Sequence, residues 1–228
     1  TVERIDFANN NYLIIDMTLK DNLLYLATNS NGLVVYDIAS QQIIQHINGE
    51  RLTSAEAINI LPLSDGTVWI ANPSGIDIYN HLTDSVTPLK SIGQNKVISL
   101  FEYKNKIFVA TKGDGFLVYN HEGELLSHFA KNISFGYTSL INGEIWAPAE
   151  PGLYRIDPES YQVNMVPNTE IYTFTDSPVI YNNTIYVGHY GGILEVPLVN
   201  EAVFNPKVYI SKTMVSGQLH LLNQSIQI

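Results

Sequence analysis

The chain has 228 residues, 45% hydrophobic and 15% charged, enough to bury a sizeable core as one domain. Its formal net charge is −10, with three arginines (Arg4, Arg51, Arg155) and nine lysines scattered singly, so no basic stripe exists to neutralise a phosphate backbone and no nucleic-acid partner is expected. Cysteine is absent, which excludes disulfides, thiolate metal sites and a cysteine nucleophile.

In chain order, the start TVERIDFANNNY lacks the charged-then-apolar pattern of a signal peptide, and residues 2–7 read as a strand. No apolar run approaches the ~18 residues that cross a bilayer, so no membrane insertion by this segment is expected. The next apolar stretch, NLLYLAT (22–28), opens a unit that recurs as GTVWIAN (66–72), NKIFVAT (105–111), GEIWAPA (143–149) and NTIYVGH (183–189). Each copy holds an aromatic at the same point: Tyr25, Trp69, Phe108, Trp146, Tyr186. Two residues later stands a small or compact residue, Ala27, Ala71, Ala110, Pro148 or Gly188. A glycine follows, then a second apolar run; those glycines are Gly32, Gly75, Gly115, Gly152 and Gly192, spaced by 43, 40, 37 and 40 residues.

A unit of about forty residues, in which short β-branched and aromatic runs alternate with turn dipeptides, predicts a four-stranded antiparallel meander, the blade of a β-propeller. The third unit predicts strands at residues 97–103, 106–111, 116–120 and 124–129. LTSAEAINILPL (52–63), the one stretch with helical flavour, runs into Pro62 and reads as a loop followed by a strand. The aromatic row is expected to wedge between neighbouring blades, with the small residue after it letting the sheets approach. The fold expected is therefore all-β: a propeller of five clear blades, with a sixth as an alternative that the N-terminal strand would close.

The segments DGTVWIAN (65–72) and SGIDIYN (74–80), with LATNSNGLVVYD (26–37) and VATKGDGFLVYN (109–120), resemble the repeat of two-component-regulator propellers. The fourth and fifth units depart from it at Ala147-Pro148 and Val187-Gly188-His189. The resemblance implies the periplasmic sensor part of an inner-membrane receptor of hybrid histidine kinase or diguanylate cyclase type. Such a receptor would self-associate and would carry a following immunoglobulin-like triple-tyrosine module. On that basis residues 1–205 are propeller and 206–228, with Pro206-Lys207-Val208-Tyr209-Ile210 and Met214-Val215-Ser216-Gly217, open the module. The competing reading makes the tail an irregular sixth blade, in which His220 stands where the aromatic belongs and Leu222 where the small residue belongs.

Catalytic signals are thin. The six histidines (His46, His81, His121, His128, His189, His220) form no HxH or HExxH spacing, three distant arginines do not supply a sialidase's carboxylate clamp, and Gly113-Asp114-Gly115 lacks the later glycine and helix of a phosphate loop. No cofactor is expected. The remaining candidates sit in the loops joining second and third strands, which gather on one face of a propeller. Asn72, Lys112, Glu150, His189 and Tyr190 are the candidate ligand-binding residues, for a small polar ligand such as an oligosaccharide, with Tyr190 as stacking platform. The function expected is a non-enzymatic sensor. The alternatives are a propeller enzyme of lactonase or polysaccharide lyase type, using Glu150, Asp114 and His189, and a protein-docking scaffold.

Overall fold

The computed structural model describes residues 12–89 and 96–198, together with the backbone of 207–210. Five antiparallel sheets follow one another along the chain. The first holds β1 (Ile14–Lys20), β2 (Leu23–Thr28), β3 (Leu33–Asp37) and β4 (Gln42–Ile47), and the second holds β5 (Asn59–Pro62), β6 (Thr67–Asn72), β7 (Gly75–Asn80) and β8 (Ser85–Pro88). The third is β9 (Lys96–Tyr103), β10 (Lys106–Lys112), β11 (Phe116–Tyr119) and β12 (Leu125–Phe129), each within a residue or so of the span its sequence predicts. The fourth contains β13 (Ser134–Phe135), β14 (Ser139–Ile141), β15 (Glu144–Glu150), β16 (Leu153–Ile156) and β17 (Val163–Met165). The fifth contains β18 (Val179–Tyr181), β19 (Thr184–His189), β20 (Gly192–Pro197) and β21 (Lys207–Ile210). Each sheet is a meander of hydrogen-bonded neighbours, and the protein is a β-propeller of such blades.

Pairing of alternate faces explains the aromatic row. Tyr25 packs with Ile60, Val68 and Ile70 of the second blade, Trp69 with Val97, Ile107 and Val109 of the third, Phe108 with Phe135, Ile145 and Ala147 of the fourth, and Trp146 with Ile185 and Val187 of the fifth. Each of these four wedges therefore points at the blade that follows it. Trp69, Phe108 and Trp146 are buried, while Tyr25 and Tyr186 are half-buried. Residues on the faces turned away at the two ends, Met17 and Leu19 on β1 and Val179 and Tyr181 on β18, are exposed.

The repeated glycines follow from backbone geometry. Gly115 has φ +69°, and a Cβ there would stand 2.3 Å from the Phe129 carbonyl oxygen and 2.4 Å from that of Ala130, so the third strand can start beneath the end of the fourth only without a side chain.

Lys207–Ile210, which the resemblance assigns to a following module, pairs with β20 and supplies the fourth strand of the fifth sheet. A meander needs that strand to satisfy the outer edge of β20. The strand expected at residues 2–7, and the tail features at Met214, Gly217, His220 and Leu222, lie outside the described residues.

The innermost strands are tied to one another. Asn59 Nδ2 donates to Asp16 Oδ2 at 2.7 Å, and Asn59 Oδ1 accepts from the Leu100 amide at 2.8 Å, linking β1, β5 and β9. Thr138 Oγ1 donates to Ser99 Oγ at 3.0 Å, linking the fourth blade to β9.

Candidate functional site

The fourth blade departs from the one-inner-strand pattern, and the departure begins in the sequence. Pro148 replaces the usual small residue of the repeat and has no N–H to offer its inner neighbour. The inner strand consequently splits: Ser134 and Phe135 pair with Glu150 and Ala149, Ser139–Ile141 pair with Trp146 to Glu144, and between them only the Gly136 amide bonds the Pro148 carbonyl, at 2.7 Å. Three residues on one side face two on the other, a bulge that turns Tyr137 outward, leaving it 46% exposed.

Tyr137 lines a cleft of about 280 Å³ that spans the third, fourth and fifth blades. Lys96 and Lys112 form its third-blade wall, Glu150 and the bulge its fourth-blade wall, and Phe174 and Asp176 its fifth-blade wall. A second bulge, between Ala110 and Thr111 on the β9 pairing, accompanies Ile98 at the cleft floor.

The five residues expected from the sequence therefore separate. Lys112 and Glu150 end β10 and β15, are exposed, and meet in this cleft. Asn72 does not reach it. Its side chain is fully buried, with Nδ2 donating to Asp77 Oδ2 at 2.9 Å and Oδ1 accepting the Ser74 amide at 2.8 Å. It serves its own turn. His189 ends β19 and is bridged to Phe174 on the cleft wall, while Tyr190, 85% exposed, does not line the cleft. Lys96, Tyr137 and Asp176 were missed. A signal for Tyr137 was available, since Pro148 marks where an inner strand must break; Lys96 was hidden, because the regular hairpin register puts Val97 opposite Lys112 and only the bulge between Ala110 and Thr111 brings Lys96 there.

The residues named for enzymatic chemistry also separate. Asp114 Oδ1 lies 3.2 Å from His128 Nε2, and neither Asp114 nor His189 lines the cleft that holds Glu150. Among the described residues no group of three or more His, Cys, Asp or Glu side chains is arranged to hold a metal ion.

His189 is electrostatically distinctive. Its Nδ1 accepts the Gly191 amide at 3.0 Å, its Nε2 is buried with no partner among the described residues, and its ring lies 4.7 Å from that of Tyr172. Burial lowers its pKa, because desolvation disfavours the charged imidazolium. A histidine depressed in the folded state contributes stability that is present above its unfolded value near 6.5 and is lost as pH falls from there through the lower folded value. Thermal melts between pH 7.5 and 5 should therefore show a fall that His189→Gln reduces; an identical pH dependence in the variant would disprove this role.

A family model, the domain of unknown function DUF5074, matches residues 8–191. The chain belongs to that family. No curated protein matches the DUF5074 chain in sequence. Among solved structures, the extracellular domain of the putative hybrid two component system BT4673 from B. thetaiotaomicron shares 21% identity at a TM-score of 0.69, covering 84% of this chain and 28% of that one. The computationally designed Ika8 protein shares 14% identity at a TM-score of 0.67, covering 85% and 61%. Streptogramin B lyase shares 13% at 0.66, covering 90% and 72%. At these identities the likeness is one of fold, and the DUF5074 chain spans less than two thirds of the length of Ika8 and of BT4673.

Proposed function

We propose that this propeller is the ligand-binding sensor domain of a transmembrane signalling receptor of two-component type, displayed outside the cytoplasm and itself without catalytic activity. The observation that carries the reading is the three-blade cleft, where Lys112 and Glu150 converge with an exposed tyrosine on the loop face. Concave sites of this kind, walled by several blades, couple ligand contact to the relative packing of those blades. The DGTVWIAN-type repeats and the fold shared with an extracellular receptor domain support the same reading. The following immunoglobulin-like module belongs to it as well.

Thermal-shift and calorimetric screening of the purified domain against sugars, organic acids and amino acids tests the proposal. The expected result is a saturable ligand whose binding Glu150→Ala abolishes. A screen with no hit, alongside a protein partner recovered in pull-downs, would replace the sensor by a docking scaffold. A stoichiometric divalent ion in the purified protein would favour the enzyme reading.

A further inference from the structure

Lys96 and Lys112 are direct partners in the β9–β10 register, so their side chains leave the same face of the sheet side by side. Both are exposed, and neither has an ion-pair or hydrogen-bond partner among the described residues. Two like charges placed directly opposite on antiparallel strands repel each other and weaken the pair. In a chain with net charge −10 and twelve cations in all, two of them adjacent at the mouth of the same cleft constitute a local cationic spot on an acidic protein. Such a spot draws in and holds an anion, because an oxyanion between two ammonium groups relieves their repulsion and makes charge-assisted hydrogen bonds to both.

The rest of the cleft restricts what carries that anion. Glu150 and Asp176, on the opposite walls, are exposed carboxylates that accept hydrogen bonds and donate none. They suit hydroxyl donors on the ligand and repel a second negative group. Tyr137 supplies a flat apolar face beside them. A volume of about 280 Å³ fits a single ring with its substituents and is too small for an oligosaccharide buried whole.

We propose that the cleft binds a small hydroxylated monocarboxylic acid of sugar-acid size. Its carboxylate lies between Lys96 and Lys112, its hydroxyls donate to Glu150 and Asp176, and its ring packs on Tyr137. The proposal rests on the sensor reading and narrows the ligand of that site.

The test is calorimetric titration of the whole chain at low ionic strength with three probes: sodium glucuronate, glucose, and inorganic phosphate. Glucuronate should bind at least about tenfold more tightly than glucose, since only it makes charge-assisted bonds, and its affinity should fall with added salt. Lys96→Gln and Lys112→Gln should each weaken glucuronate, the double variant should reduce it to the level of glucose, and Tyr137→Ala should weaken glucuronate but not phosphate. Without ligand, Lys112→Gln should melt at the same temperature as the parent or higher, which separates lost binding from lost folding. Glucose binding as tightly as glucuronate, or glucuronate binding untouched by both lysine variants, would overturn the anion assignment while leaving a neutral-ligand sensor standing. Phosphate binding as tightly as glucuronate would overturn the sugar-acid assignment. No binding by any probe also overturns it, and the broader screen then decides the sensor reading separately.

Discussion

Replacing Trp146 by alanine is expected to destabilise the protein by about 3–5 kcal/mol, the range for removing a fully buried tryptophan from a core. Trp146 is 1% exposed and joins Ile141, Leu153 and Val166 of its own blade to Ile185, Val187, Leu194 and Val196 of the next. The Arg155 guanidinium lies 5.4 Å from its ring centre and is itself held by Glu144 through bonds of 2.7 and 2.9 Å. Alanine therefore removes both the inter-blade filling and the platform beneath that cation. The equivalent change at Tyr186, the half-buried aromatic of the fifth blade, should cost far less, on the order of 1 kcal/mol, in keeping with partial burial. Urea unfolding with a common m-value measures both. Equal losses at the two positions would show that the wedge does not act by packing onto the following blade. Because each blade touches chiefly its neighbours, the Trp146 loss should also appear as earlier opening of the fourth and fifth blades in hydrogen exchange.

That periodic logic is what made the fold legible. An aromatic, a small residue two positions on and a glycine at each recurrence fix strand two, the close sheet approach and the positive-φ start of strand three, and in the third unit this located all four strands. The two-residue turn Lys104-Asn105 sets which side chains stand opposite one another as far as Ala110, but that register alone would put Val97 opposite Lys112, and the bulge between Ala110 and Thr111 is what makes the Lys96–Lys112 pair. The site was less legible, because loop position along the chain does not say which way a side chain turns. Asn72 and His189 end the aligned segments, whereas Lys112 and Glu150 stand one residue further on, past Thr111 and Ala149; of the four, Asn72 is folded into its own turn, Lys112 and Glu150 reach the cleft, and His189 packs on Tyr172. The one-residue offset, which reverses the face along a strand, separates buried Asn72 from exposed Lys112 and Glu150, and neighbouring groups decide the rest. For Asn72 the deciding neighbour is Asp77, for which the pattern assigns only a strand position. For Glu150 it is the broken inner strand opposite Pro148, a deviation that looks like decay of the motif and is the origin of the cleft.

Asp77 is accordingly the second position where a large loss is expected. It is a carboxylate with no exposure to solvent, and its Oδ2 accepts from the Thr53 amide at 2.8 Å, the Thr53 hydroxyl at 2.9 Å and the Asn72 amide group at 2.9 Å. Three donors from two segments converge on one oxygen, so the carboxylate pins the crossing between the first and second blades to the β6–β7 turn. Asp77→Ala leaves the buried Asn72 amide group short of an acceptor and unties the crossing at the exposed Thr53, at an expected loss of about 1–3 kcal/mol. Asp77→Asn should cost less, because its amide oxygen keeps the three acceptances and Oδ1, which has no partner among the described residues, is the atom replaced by NH₂. Thr53→Val and Asp77→Ala should be non-additive in a double-mutant cycle, since either change alone removes the bond from the Thr53 hydroxyl to Asp77, while the amide of residue 53 keeps its bond in Thr53→Val. Asn72→Ala completes the argument by separating structure from recognition: it should lower the urea midpoint in the same direction as Asp77→Ala while leaving affinity at the Lys112–Glu150 cleft unchanged. A variant with normal stability and lost binding would place Asn72 back among the ligand-contacting residues and extend the site to the second blade.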